Sequence, residues 1–138
     1  MLESNKGLVR RFYEAIDRGD AKILDEFIAP DYLDHNPPFP NLPAGRAGSR
    51  EGFQLALGAF SDFSHEVVDQ IAEGDKVVTR MRASGKHTGE FLGIPATGKS
   101  VTMTGIAVHR IADGKIAEHW SEVDAFGFFQ QLGSFPPT

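Results

Sequence analysis

From His65 to Val123 the residues keep a period of two, a pattern that suits a half-buried strand and not a helix. His65–Glu73 reads as one strand, and Gly74-Asp75 turns the chain into a second, Lys76–His87. Gly89–Gly98 is a loop, and Ser100–Ile111 is a third strand. Asp113-Gly114 is a strong hairpin signal because both turn positions favour positive φ. Lys115–Val123 then returns antiparallel to the third strand.

Ahead of this sheet the period is helical. Ser4 is placed to cap a first helix, in which Leu8, Phe12 and Ile16 recur at i, i+4 and i+8. Val9 and Ala15 widen that stripe, and Gly19 closes the helix in the left-handed conformation. Asp20 caps a second helix with Ile23, Leu24, Phe27 and Ile28 on its buried side, and Pro30 stops it. Asp31–His35 is a short extended segment. The loop after it holds Pro37, Pro38, Pro40, Pro43, Gly45 and Gly48, and loops of that length often act as lids or binding loops. Ser49 caps a third helix carrying Phe53, Leu57 and Phe60. Asp124 caps a last short helix through Leu132, closed by Gly133. Helices followed by strands predict an α+β fold in one domain spanning residues 1–138: a curved antiparallel sheet, cone-shaped, wrapped by the N-terminal helices, with a short C-terminal helix. The interior of such a cone is a natural small-molecule pocket.

Composition narrows the function. Fourteen Lys and Arg against 19 Asp and Glu leave a formal net charge of −5 with no basic run, which argues against nucleic acid and anionic membranes as partners. No stretch approaches the roughly 20 apolar residues of a membrane span. Met1–Lys6 is polar and carries no signal-peptide pattern. The chain has no cysteine, so thiol nucleophiles, disulfides and cysteine-based metal sites are excluded, and a reducing cytoplasm is the expected location. Eleven Phe against one Trp and two Tyr suit a core or an apolar pocket.

Alternation assigns faces. Ala117, His119, Ser121 and Val123 share one face of the last strand, and Glu118, Trp120 and Glu122 share the other. In the preceding strand Met103, Gly105, Ala107 and His109 alternate with Thr102, Thr104, Ile106 and Val108. Apolar groups on both faces predict that helices cover one and a second subunit the other, with Trp120, Ile106 and Val108 in an isologous homodimer patch.

The segments LVRRFYEAI, FIAPDYLDHNPP, HTGEFLGIPATGK, RIADGKIAEHW and QQLG together resemble the SnoaL-like polyketide cyclases, within the wider nuclear-transport-factor-2-like cone fold. The resemblance runs over nearly the whole chain. It implies a homo-oligomer packed through the convex sheet face, and ring closure by intramolecular aldol chemistry without metal or cofactor. It also implies an acid–base Asp two positions after the last-strand His, assisted by a His on the preceding strand. Those positions here hold Ser121 and Ala107, neither of which can act as a base near neutral pH.

Other residues must then carry any proton chemistry. His35, at the expected cavity mouth, and His119, beside Ser121, have a side chain whose ordinary pKa suits a base at neutral pH. Each could equally be held by backbone or water, or in the core. Asp124 is a replacement acid or simply a helix cap, and His87 either positions its loop or touches substrate. His109, next to Arg110 near a hairpin tip, reads as exposed. Asp34 could orient His35, although neighbours on an extended segment point apart. Phe12, Phe53, Phe91 and Met103 are the expected walls for a small hydrophobic substrate. A binding protein for a hydrophobic metabolite is the main alternative. A hydrolase or isomerase is another; the epoxide hydrolase form needs a buried Arg with two carboxylates, and Arg80 and Arg82 lack suitably placed Asp partners. The five His residues lack metal-ligand spacing.

Overall fold

The computed structural model describes residues 1–134. Two helices, α1 (Leu2–Arg18) and α2 (Ala21–Phe27), lead into strand β1 (Ile28–Asp34). A third helix, α3 (Arg46–Ala59), precedes β2 (Phe60–Glu73), β3 (Lys76–His87), β4 (Ser100–Ala112) and β5 (Lys115–Val123), and α4 (Ala125–Leu132) follows. The strands form one curved, unclosed sheet in the order β1-β5-β4-β3-β2. The α+β cone expected from the pattern is therefore present. Its antiparallel ladder has one exception, the edge strand β1, which runs parallel to β5.

Helices cover one face, here called inner. Val9 and Tyr13 of α1 pack with Ile28, Val77, Ile111 and Ile116. A second cluster joins Ala59, Phe60 and Val101 to Phe128 and Leu132 of α4. Burying each large side chain fully contributes about 1.5–3 kcal/mol, so these two clusters hold the helices on the sheet.

Several boundaries differ from those the sequence suggests. Ser4 lies inside α1, where its Oγ donates to Met1 O at 2.9 Å. The Val9–Tyr13 line is the buried centre of that helix. Gly45, not Ser49, precedes α3, and Arg46 Nε donates to Ile28 O at 2.9 Å, tying the helix start to β1. Leu57 on α3 is exposed, and Phe60 begins β2 instead of ending the helix. α2 ends at Phe27, and Pro30 sits within β1, where an edge strand tolerates a missing N–H. The Ile23 side chain lies outside the described residues. β2 starts five residues before His65 because register shifts at Ser61/Ser64 and Val67/Asp69 break its alternation. Asp20 does cap α2 by accepting from Lys22 N, and Gly19 and Gly133 close their helices in the left-handed region. Among the described residues no helix is long and apolar enough to cross a membrane.

Candidate active site

The register of the three strands β3, β4 and β5 carries Val77 across to His109 and on to His119, and β1 adds Asp34 at the edge. All four belong to the inner face. His119 Nδ1 lies 2.8 Å from Asp34 Oδ1, and the same oxygen accepts from Asn36 N at 2.9 Å, closing an Asx turn just after the strand. Burial of Asp34 opposes its charge, but hydrogen bonds from His119, Asn36 N and Tyr32 hold its carboxyl below the usual range. Burial, aided by the Asp34 charge, pushes the Tyr32 phenol well up.

The His109 ring packs 4.9 Å from that of His119 and is 2 % exposed. The expected exposure of His109 is thus reversed: β4 is the middle strand, and Phe12 and Tyr13 of α1 approach the ring edge-on at 6.0 and 6.1 Å. Burial, reinforced by the charge His119 can carry, lowers the pKa of His109 to about 3. Tyr13 also stacks on His65 at 5.1 Å. His65 is gripped by Asp17, whose carboxylate meets its Nδ1 at 2.6 Å and its backbone N at 2.9 Å. One aromatic chain therefore runs from α1 through the core to the edge of the sheet.

Ser121 lies one register step from His119 on the same face, opposite Ala107. Its backbone N donates to Asn36 Oδ1 at 2.9 Å. His119 and Ser121 thus share the inner face as alternation suggests. His35 does not join them. As the residue after Asp34 it points the other way, and its ring stacks on Trp120 at 4.7 Å with 5° between planes. His35 Nε2 meets Glu118 Oε2 at 2.7 Å, and Arg110 Nε donates to Glu118 Oε1 at 2.6 Å. His35 is therefore an outer-face residue and not at a cavity mouth, and the Asp34 beside it orients a different imidazole.

His87 is sealed on the inner face, with Nδ1 accepting from Thr97 N at 3.2 Å and Phe60 packed 5.3 Å away. It pins the loop 88–99, which brings Phe91 against Phe60, Phe128 and Phe39. Met103 packs on the same cluster, whereas Phe12 packs on the other, and Phe53 is buried on α3. Asp124 Oδ1 accepts from Gly127 N at 2.9 Å, a capping bond. Arg80 and Arg82 are half exposed on the outer face, paired with Asp69 and Glu66, so neither forms a buried Arg–carboxylate centre. A groove of about 470 Å³ opens there, lined by Arg80, Arg82, Ile106 and Glu122 among others. No group of three or more His, Cys, Asp or Glu suited to a metal occurs among the described residues.

The sequence pairs Asp34 with His35 and puts His109 at the surface, whereas Asp34 bonds His119 and His109 is buried. For His109 the alternation did point inward, and proximity to the hairpin outweighed it wrongly. For Asp34 the decisive fact, parallel pairing of β1 with β5, leaves no local trace.

This arrangement can move a proton. An imidazole with one nitrogen on a carboxylate and a hydroxyl residue beside it on the same face is a base–donor pair. The profile of the SnoaL-like polyketide cyclases matches residues 7–132. Aklanonic acid methyl ester cyclase DauD of Streptomyces sp. (strain C5) is 34% identical over 141 residues, covering 95% of this chain and 83% of that protein. The solved structure of TsrD from Streptomyces laurentii is 35% identical with a TM-score of 0.88, covering 96% of this chain and 97% of the other. IdmH from Streptomyces antibioticus is 36% identical with a TM-score of 0.80, covering 94% and 98%. With fold, motifs and relatives in agreement over almost its full length, this chain belongs to the SnoaL-like polyketide cyclase family.

Proposed function

We propose that the protein closes a ring in a small hydrophobic carbonyl compound by intramolecular aldol addition, with His119 as base and Ser121 as hydrogen-bond donor. His119 Nε2 takes a proton from a carbon next to a carbonyl. The resulting enolate carbon attacks a second carbonyl of the same molecule, and the new alkoxide takes the proton back from His119. A C–H bond and a C=O π bond are lost, a C–C and an O–H bond are gained, and nothing leaves. The Ser121 hydroxyl serves the oxyanion, where a fixed donor is worth most because charge develops there. Phe12, Phe53, Phe91 and Met103 supply apolar wall, and His87 holds the loop that carries Phe91. Neither metal nor cofactor enters these steps.

The observation that carries this reading is the 2.8 Å contact of His119 Nδ1 with Asp34, which leaves Nε2 for the substrate. The name of DauD supports the reaction class. The same proposal includes a homodimer through the outer face, where Ile106 and Ile71 are 47 % and 65 % exposed beside Trp120 and Val108.

A second reading, a binding protein for a hydrophobic metabolite, is favoured by Ser121 and Ala107 at the positions where the family resemblance implies an acid–base pair. Incubation with aklanonic acid methyl ester as probe separates the two. Ring closure changes the chromatographic retention and not the mass. His119→Ala should lower turnover by about 100-fold or more, and Ser121→Ala by a smaller factor. Unchanged turnover in both variants removes these residues from the chemistry. Tight retention of the probe without conversion by the wild type establishes the binding reading.

A further inference from the structure

We infer that Asp34 is a positioning residue for His119, fixing which imidazole nitrogen faces the substrate and providing the counter-charge for the imidazolium that proton transfer creates. The catalytic half of this inference rests on His119 being the base; the tautomer half does not.

Asp34 is placed by more than its bond to the ring. His35 N donates to His119 O at 2.9 Å, and Ser121 N donates to Asn36 Oδ1 at 2.9 Å. These two bonds, one from the backbone of His35 and one to the side chain of Asn36, tie the chain just after Asp34 to β5 at His119 and Ser121. The carboxylate is thus held against the imidazole, where its Oδ1 accepts from Asn36 N as well and the Tyr32 phenol gives it a further hydrogen bond. An ionised carboxylate only accepts hydrogen bonds. His119 must therefore carry its hydrogen on Nδ1, and its lone pair lies on Nε2. Uncoupled imidazoles prefer the opposite arrangement, with hydrogen on Nε2, so a partner is needed to select this one.

Among the described residues, Asp34 is the carboxylate that bonds the His119 ring. The titratable groups around the His119 ring are Asp34 and Tyr32 from β1 and His109 from β4, with Tyr13 of α1 behind His109. Both phenols are held neutral by burial, and His109 is too deeply buried to ionise near neutral pH. A proton arriving at His119 meets the negative charge of Asp34.

The test reads tautomer and turnover on the full chain. In protein labelled with ¹⁵N-histidine, long-range ¹H–¹⁵N correlations of His119, assigned with His119→Gln, should show hydrogen on Nδ1. Asp34→Ala should move it to Nε2, and kcat on aklanonic acid methyl ester should fall about 100-fold or more with KM little changed. Asp34→Glu should restore the Nδ1 signature and part of kcat. An Asp34→Ala protein that keeps hydrogen on Nδ1 overturns the inference. If that variant does not fold, Asp34→Asn removes the charge while keeping the shape, and an unaltered kcat in it is equally fatal. A tautomer that shifts as described in a protein whose wild type never closes the ring upholds the positioning and defeats the proposed reaction on that probe.

Discussion

His109 shows how a single side chain links burial to acid stability. Its imidazole is shut in by Phe12, Tyr13 and His119, and desolvation of the charged form drives its pKa to about 3. In the unfolded chain the same group titrates near 6.5. Between those values the unfolded state binds more protons, so stability falls as pH is lowered through the window. By pH 4.5 the share of His109 is on the order of 2 kcal/mol. The carboxyl of Asp34, depressed in the folded state, adds a loss only as pH falls further, below about 4. Urea unfolding at pH 7 and pH 4.5 should therefore show a large drop for the wild type and a clearly smaller one for His109→Leu. Equal drops in the two proteins would mean that His109 is not the acid-sensitive group.

At the level of elements, the ends of α4 and the loop 88–99 are set by short polar contacts. Asp124 accepts from Gly127 N, and losing such a cap costs about 1 kcal/mol. Asp124→Ala should lower the melting temperature by a few degrees. A drop in turnover beyond what unfolding explains would instead give Asp124 a part in the chemistry. In the loop, Thr88 N and Gly89 N both donate to Ala59 O, and a Cβ on Gly89 would collide with Gly58 O, so only glycine permits the approach. Elements with clean periodicity were legible beforehand: β3 and β5 begin and end where the pattern of two does. β2 was not, because Asp62 adopts a positive φ of 57° inside a register shift and the alternation lapses there.

For the molecule as a whole, the two faces of the sheet have different work. The inner face holds the aromatic clusters and the Asp34–His119 pair. The outer face combines Ile71, Val78, Ile106, Val108 and Trp120 with the oppositely charged Arg80, Arg82, Glu66 and Asp69, a mixture able to pair with itself about a two-fold axis. Trp120→Glu should convert the proposed dimer to monomer in sedimentation equilibrium, while the His119 tautomer is retained. A dimer of wild-type affinity would place the subunit contact elsewhere.

What the sequence determined by itself was everything governed by neighbours in the chain. Asp113-Gly114 built its hairpin, with positive φ at both residues, and alternation put His119 with Ser121 and Trp120 with Glu118. What only the tertiary structure decided was which strands lie side by side. Asp34 and His119 are 85 residues apart and meet because β1 joins the sheet parallel to β5. The same pairing sends His35 to the opposite face. Periodicity records which way a side chain points along its own strand, whereas strand order is set by the burial of whole faces, to which distant segments contribute together.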